Sequence, residues 1–212
     1  MFIRDTRRRY MINFEKKYWQ QNKHHIAGID EVGRGCLLGD VVAAAVILPI
    51  DLEIEGINDS KKLSPKKREA CFEIIMDKAL AVGIGRVDSE TIDDINIKQA
   101  TRLAMEQAVE KLKISPDYLF IDAEKINSPI PQLSIIKGDQ LSQSIAAASI
   151  VAKVTRDRLC LQWDLQYPQY DIAKHKGYGT KLHREHITNY GPCPLHRRTF
   201  LKNIINVQQT LF

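Results

Sequence analysis

Apolar and polar positions along the 212-residue chain follow two rhythms. Short apolar runs closed by turn residues predict strands: "HIAGID" (25–30), "DVVAAAVILP" (40–49), "AVGIGRVD" (81–88), "DYLFIDA" (117–123) and a shorter "LSIIKGD" (133–139). The run at 40–49 is unbroken and stopped by Pro49, the pattern of a strand covered on both faces. Elsewhere the apolar positions recur at helical spacing. Ser64-Pro65 joins a hydroxyl cap to a proline at the first helical position. A helix is therefore predicted near 65–80, with Ala70, Ile74 and either Leu80 or Ala81 inward. "NIKQATRLAMEQAVEKLK" (96–113) predicts a helix capped by Asn96, with Ile97, Leu103, Ala104, Ala108 and Leu112 inward. "SQSIAAASIVAKVTRDRLCLQWDLQ" (142–166) predicts a long helix whose small residues allow close packing on a sheet. The alternation points to an α/β fold. We expect an N-terminal helical extension over 1–22, frayed at its start, a main α/β domain over 23–168, and a C-terminal helical region and tail over 169–212.

Composition narrows this picture only modestly. Thirty-one Lys and Arg against 26 Asp and Glu give a formal charge of +5, a mild pointer to a polyanionic partner. The four cysteines, Cys36, Cys71, Cys160 and Cys193, have no CxxC spacing, so reduced thiols in a cytoplasmic protein are expected. No apolar stretch approaches membrane-spanning length, and the basic N-terminus lacks the apolar core of a secretory signal.

Chemistry concentrates where strands are predicted to end. Asp30 and Glu31, Asp122, and Asp139 each close an apolar run. In open α/β sheets, functional groups gather at the carboxyl edges of neighbouring strands. Clustered carboxylates repel and raise one another's pKa, so such a set is tolerable with divalent cations; all-oxygen donors suit Mg²⁺ or Mn²⁺. Two such ions about 4 Å apart are a standard arrangement for phosphodiester chemistry. The competing reading is that each aspartate forms a turn or caps a helix, and Asp139 precedes a helix. Neighbouring strand residues face opposite ways, so Asp30 and Glu31 serve one site only where the strand bends; Gly33 and Gly35 permit that bend. The intervening Arg34 offers a phosphate-matching fork. "GRGCLLG" (33–39) also fits a loose dinucleotide loop, but that motif needs a helix next, and the strand-like "DVVAAAVIL" follows.

The ordered set "GIDEVGRG", "NDSKKLS", "NIKQATRLAM", "LFIDA", "KGD", "AASIVAKVTRDR", "HKGYGT" and "HRRTF" resembles bacterial ribonuclease HII, the type 2 ribonuclease H family, over roughly 26–200. The resemblance implies a ribonuclease H-like mixed sheet flanked by helices, with a helical C-terminal region. It implies endonucleolytic cutting of the RNA strand of RNA–DNA hybrids, and incision 5′ of single ribonucleotides embedded in DNA. Products would carry 3′-hydroxyl and 5′-phosphate ends. By the same resemblance Asp30, Glu31, Asp122 and Asp139 hold two Mg²⁺ or Mn²⁺ ions. Gly33, Arg34 and Gly35 sense the 2′-hydroxyl and the neighbouring phosphate, and Tyr178 stacks on the deoxyribose at the junction. The chain departs from the family pattern at Cys36, where proline is common, and at Ala123, where glycine is common.

Other residues carry open readings. Lys61 and Lys62 are either solvated loop charges or phosphate contacts. Asp157 reads as a structural ion-pair partner on the long helix. Ser149 and Lys153, on the same helix, serve either packing or the substrate backbone. His183 and His186 lack the further ligands that zinc requires. His196-Arg197-Arg198 is either surface charge or a phosphate grip, and Trp19 and Trp163 read as packing residues. A monomer is expected. "QQTLF" (208–212) resembles a peptide that binds a replication sliding clamp. A DNA-cutting enzyme of the same fold and a non-catalytic nucleic-acid binder are the alternatives; four acids in a phosphate groove disfavour the binder.

Overall fold

The computed structural model of the protein describes residues 8–57 and 63–205. Helix α1 (Arg8–Trp19) leads into β1 (Ile26–Val32), β2 (Val41–Ile47), α2 (Pro65–Lys78) and β3 (Ala81–Val87). Then follow α3 (Ser89–Glu110), β4 (Tyr118–Asp122), β5 (Gln132–Ile135), the single turn α4 (Gly138–Leu141) and the long α5 (Gln143–Gln166). The C-terminal part adds α6 (Ile172–His175), α7 (Lys181–Tyr190) and α8 (Lys202–Ile205). The five strands form one sheet in the order β3-β2-β1-β4-β5. The β1–β2 and β2–β3 pairs are antiparallel; β1–β4 and β4–β5 are parallel. Among the described residues no helix is long and apolar enough to cross a membrane.

Two helical layers cover the sheet. Ala27, Ile29, Ala43, Ala45 and Ile121 face α3, where they meet Ala104, Met105 and Ala108. Ala44 and Val46 face the opposite way, onto α2 and the alanine-rich face of α5. This alternation buries every residue of β2, as its unbroken apolar run predicts. Gly28 lets α5 approach closely: a β-carbon there would lie 2.0 Å from the carbonyl carbon of Ser144. The close approach sets α5 against β1, beside the acids.

Several local expectations change. The helix before β4 starts at Ser89, capped by Asp88, not at Asn96. Asn96 still caps, because its φ of 66° interrupts the helix and its side chain accepts from the Lys98 and Gln99 N–H groups. Helix α2 buries Cys71, Phe72 and Ile75, while Ala70, Ile74 and Leu80 are exposed and Ala81 is buried as the first residue of β3 rather than on the helix. Its inward face is thus rotated by one residue, because Phe72 carries the largest apolar area and is turned toward the core. Strand β1 does not end at Asp30 but continues through Glu31 to Val32, and the bend comes at Gly33, with φ 98°. Strand β5 stops at Ile135, which leaves Asp139 on the first turn of α4 rather than at a strand end.

Candidate active site

Register brings the first acids together. Ile29 of β1 pairs with Ile121 of β4, so Asp30 and Asp122 occupy the next rung of neighbouring parallel strands. Both lie on the face opposite Ile29 and Ile121, the face covered by α5. Asp30 is buried, and Ser149 of α5 hydrogen-bonds its carboxylate. Asp30 Oδ1 also accepts the Glu31 N–H at 2.7 Å. Burial first, then the charges of Glu31 and Asp122, hold the Asp30 carboxyl well above the usual range. Glu31 is raised too, by burial first; Arg34 opposes the rise and Asp122 adds to it. Arg34 Nη1 stands 3.4 Å from Glu31 Oε1.

Asp139 comes to the same edge by a different route. It is buried, and the N–H of its neighbour Gly138 donates to Asp122 Oδ1 at 2.7 Å. Asp30, Glu31 and Asp122 therefore interact electrostatically, while Asp139 adjoins them through α4. Among the described residues no three His, Cys, Asp or Glu side chains already stand as a closed ligand set. The donors are nonetheless oxygens only, and the buried, mutually repelling acids form an electrostatic deficit that hard divalent cations relieve. The residues fit such ions in chemistry.

The loop after β1 is held from beneath by two fully buried arginines. Arg156 of α5 donates to the carbonyls of Asp40 (2.9 Å), Leu38 (3.0 Å) and Lys176 (2.8 Å). Arg197 donates to Gly39 through Nε (2.9 Å) and Nη2 (2.7 Å), and to Arg34 through Nη1 (3.0 Å). Burial lowers Arg197 to about 10, which leaves it cationic at neutral pH. Both open readings of Arg197 and His196, surface charge and phosphate grip, are therefore corrected. Arg197 braces backbone carbonyls far along the chain, which leaves no local sequence signal, His196 is buried between the His183 ring and the Cys193 N–H, and only Arg198 is exposed, as surface charge requires.

Tyr178 faces this loop and is 43% exposed. Cys36 and Tyr178 form an isolated β-bridge, the Leu37 N–H donates to the Gly177 carbonyl at 2.8 Å, and the Cys36 thiol donates to the Lys176 carbonyl at 3.6 Å. Beneath Tyr178 lies a chain of neutral imidazoles. His183 Nδ1 is 3.0 Å from the Tyr178 carbonyl, which can only accept, so Nδ1 carries the proton. His183 Nε2 therefore accepts from His196 Nε2–H at 3.1 Å, and His196 Nδ1 accepts the Cys193 N–H at 3.0 Å. Burial is the largest cause lowering His183 to about 3 and His196 to about 4.

The remaining readings resolve simply. Asp157 is an ion-pair partner, but of Lys153 (2.7 Å) and Arg68 (3.7 Å) rather than of its chain neighbours. Trp163 is buried against Gly39, and Trp19 packs beside Phe120. Lys61 and Lys62 lie outside the described residues, as does the 208–212 tail.

Comparison with known proteins shows the family and the fold. The family model for ribonuclease HII matches residues 27–203. Ribonuclease HII of Alkaliphilus metalliredigens (strain QYMF) is 59% identical over 201 residues, covering 92% of this chain and 98% of that protein. The crystal structure of the Pyrococcus horikoshii OT3 ribonuclease H2 has a TM-score of 0.73 at 25% identity, covering 87% of this chain and 98% of that one. Ribonuclease HII of Archaeoglobus fulgidus, solved in complex with PCNA, has a TM-score of 0.70 at 25% identity, covering 82% and 94%. The mixed five-stranded sheet with flanking helices is the ribonuclease H fold of these relatives. The chain therefore belongs to the ribonuclease HII family, and with it to the metal-dependent type 2 ribonucleases H.

Proposed function

We propose that this chain, within the family's endonucleolytic cutting of RNA in RNA–DNA hybrids, incises 5′ of single ribonucleotides embedded in duplex DNA, with two divalent ions. The supporting observation is the β1–β4 register, which sets Asp30 and Asp122 one step beyond the Ile29–Ile121 pair, with Glu31 and Asp139 beside them. Asp30, Glu31, Asp122 and Asp139 would hold Mg²⁺ or Mn²⁺. Bound there, the ions supply activation of the attacking water and stabilisation of the leaving 3′-oxygen.

The chain's own residues supply the reading of the sugar. Nothing lies within 4 Å of a β-carbon built on Gly35, so its backbone is open to a ligand. A 2′-hydroxyl both donates and accepts, and an unobstructed backbone can meet it with either group. Arg34, 43% exposed at its side chain and 3.4 Å from Glu31, is assigned to the neighbouring phosphate. Tyr178 provides the exposed ring that stacks on the next sugar. Lys61 and Lys62 are assigned to the phosphate backbone.

The deciding assay uses duplex DNA with one ribonucleotide. Nicking on its 5′ side only on addition of Mg²⁺ or Mn²⁺ is the expected result. Equal cutting of all-DNA duplex points instead to a DNA nuclease of the same fold. Tight binding without cutting in either metal points to a binder.

A second reading concerns a partner. The Archaeoglobus relative was solved with PCNA, and the tail "QQTLF" resembles a clamp peptide. We assign the tail to a sliding clamp. Deleting 208–212 should abolish co-elution with the clamp and leave cleavage of short duplexes unchanged; retained co-elution rejects the assignment.

A further inference from the structure

Helix α1 precedes the residues that the family model matches, yet it packs on the elements that carry two of the acids. Phe14 meets Phe120 edge-on at 6.4 Å, and Tyr18 meets Phe120 at 4.9 Å and Tyr118 at 4.7 Å. Phe120 lies two residues before Asp122 on β4. Between these aromatic contacts the helix buries a carboxylate, Glu15, at 2% exposure.

Glu15 Oε1 accepts the Ser142 hydroxyl at 2.6 Å and the Ser144 N–H at 3.1 Å. Ser142 caps α5, accepting the Ile145 N–H at 3.3 Å. A negative group here also complements the positive end of the 24-residue helix α5. The Ser142 N–H donates to the Gly138 carbonyl at 2.8 Å, and the Gly138 N–H donates to Asp122 Oδ1 at 2.7 Å. Hydrogen bonds thus link Glu15, Ser142, Gly138 and Asp122 in series, and Asp139 lies on the turn between Gly138 and Ser142. Ser144, the other donor to Glu15, is the residue whose backbone abuts Gly28, two residues before Asp30. The arrangement has a cost: Glu15 Oε2 is buried without a hydrogen-bond partner, and burial pushes the Glu15 carboxyl up while Ser142 and Ser144 oppose it.

We infer that Glu15 is a positioning residue for the metal-holding acids, tying the N-terminal helix to the α4–α5 junction so that Asp122 and Asp139 are set for divalent ions. The inference rests on the assignment of those acids as metal ligands. It gives the N-terminal extension a place in the active site that the family match does not cover.

The test is calorimetric titration of the full chain with Mn²⁺ without substrate, alongside thermal unfolding and the Mg²⁺ dependence of cleavage. Glu15→Ala should weaken Mn²⁺ binding and raise the half-saturating Mg²⁺ by about tenfold, the usual scale for loss of a residue that orients metal ligands, with cleavage at saturating metal nearly retained. Glu15→Gln keeps a carbonyl for Ser142 and Ser144 and should restore most of the affinity. Met105→Ala, which opens a cavity on the α3 face, should lower the unfolding temperature without moving metal affinity. Wild-type Mn²⁺ affinity in Glu15→Ala, or an equal loss in Met105→Ala, overturns the inference. If Glu15→Ala fails to fold, Ser142→Ala carries the same expectation and the same refutation. Asp122→Asn in the same titration separates the two levels: unchanged Mn²⁺ binding there would refute the ligand assignment itself, whatever Glu15 does.

Discussion

Arg156 lies directly beneath Gly33, so that a β-carbon at Gly33 would come 2.4 Å from the Arg156 Nε. Gly33 also has a φ of 98°, which L side chains rarely adopt. Gly35, two residues on, has neither constraint. The two glycines of one motif are therefore glycine for different reasons. Gly33→Ala should lower the unfolding temperature and impair cleavage together. Gly35→Ala should leave the unfolding temperature within about 1–2 °C of wild type, as for an unstrained surface change. Its effect should fall on the embedded ribonucleotide substrate, mainly as a raised KM. A large stability loss in Gly35→Ala would show that the backbone, not the ligand, demands glycine there.

Asp122 accepts the Gly138 N–H through Oδ1. An asparagine can keep that bond through its own carbonyl while removing the charge. Asp122→Asn should therefore fold with a near-native unfolding temperature and lose cleavage by several orders of magnitude. Near-wild-type turnover would remove Asp122 from the site.

Ala123 follows Asp122 with φ 49°, a left-handed conformation that disfavours an L side chain by roughly 1–2 kcal/mol. Glycine relieves the clash but loses more entropy on folding. Ala123→Gly should gain up to about 1 kcal/mol net, a rise of about 2–4 °C in a domain of this size. A lower unfolding temperature in that variant would mean that the methyl contributes packing that outweighs the strain.

The imidazole chain under Tyr178 makes stability depend on pH. Above the ordinary histidine pKa of 6.5, folded and unfolded chains both hold His183 and His196 neutral. Below it, the unfolded chain binds protons that the folded chain refuses until about pH 4 for His196 and about pH 3 for His183. Stability contributed by this pair is therefore complete above 6.5 and falls as the pH drops, by about 1.4 kcal/mol per pH unit for each histidine. Nitrogen-15 spectra at pH 5.5 should show both rings neutral, with the proton on Nδ1 of His183 and on Nε2 of His196. An imidazolium at His183 would set two N–H groups against each other across the His183–His196 contact, one at His196 would set its Nδ1–H against the Cys193 N–H, and finding either at pH 5.5 would overturn this assignment.

Residue pattern alone determined the strands and the long helix, and it marked Asp30, Glu31, Asp122 and Asp139 as candidates whose role only the family resemblance singled out. Each is written locally: an unbroken apolar run stopped by Pro49, a Ser64-Pro65 start, carboxylates near the ends of apolar runs. Asn96 was legible as a cap for the same reason, since its partners are two and three residues away. Tertiary structure decided how the acids meet. Asp30 and Asp122 fall one step beyond the Ile29–Ile121 pair because β1 and β4 pair in parallel, a register that no local pattern specifies. Asp139 arrives on α4, not on a strand, because β5 stops at Ile135. Arg156, Arg197 and Glu15 look like ordinary surface charges in the chain, yet all three are buried. The physical reason is common to them. A buried polar or charged side chain needs partners, and here the carbonyls that hold the two arginines and the serines that hold one oxygen of Glu15 lie 20 to 163 residues away. Sequence sets which groups are available; long-range closure of the chain decides which of them lose their water.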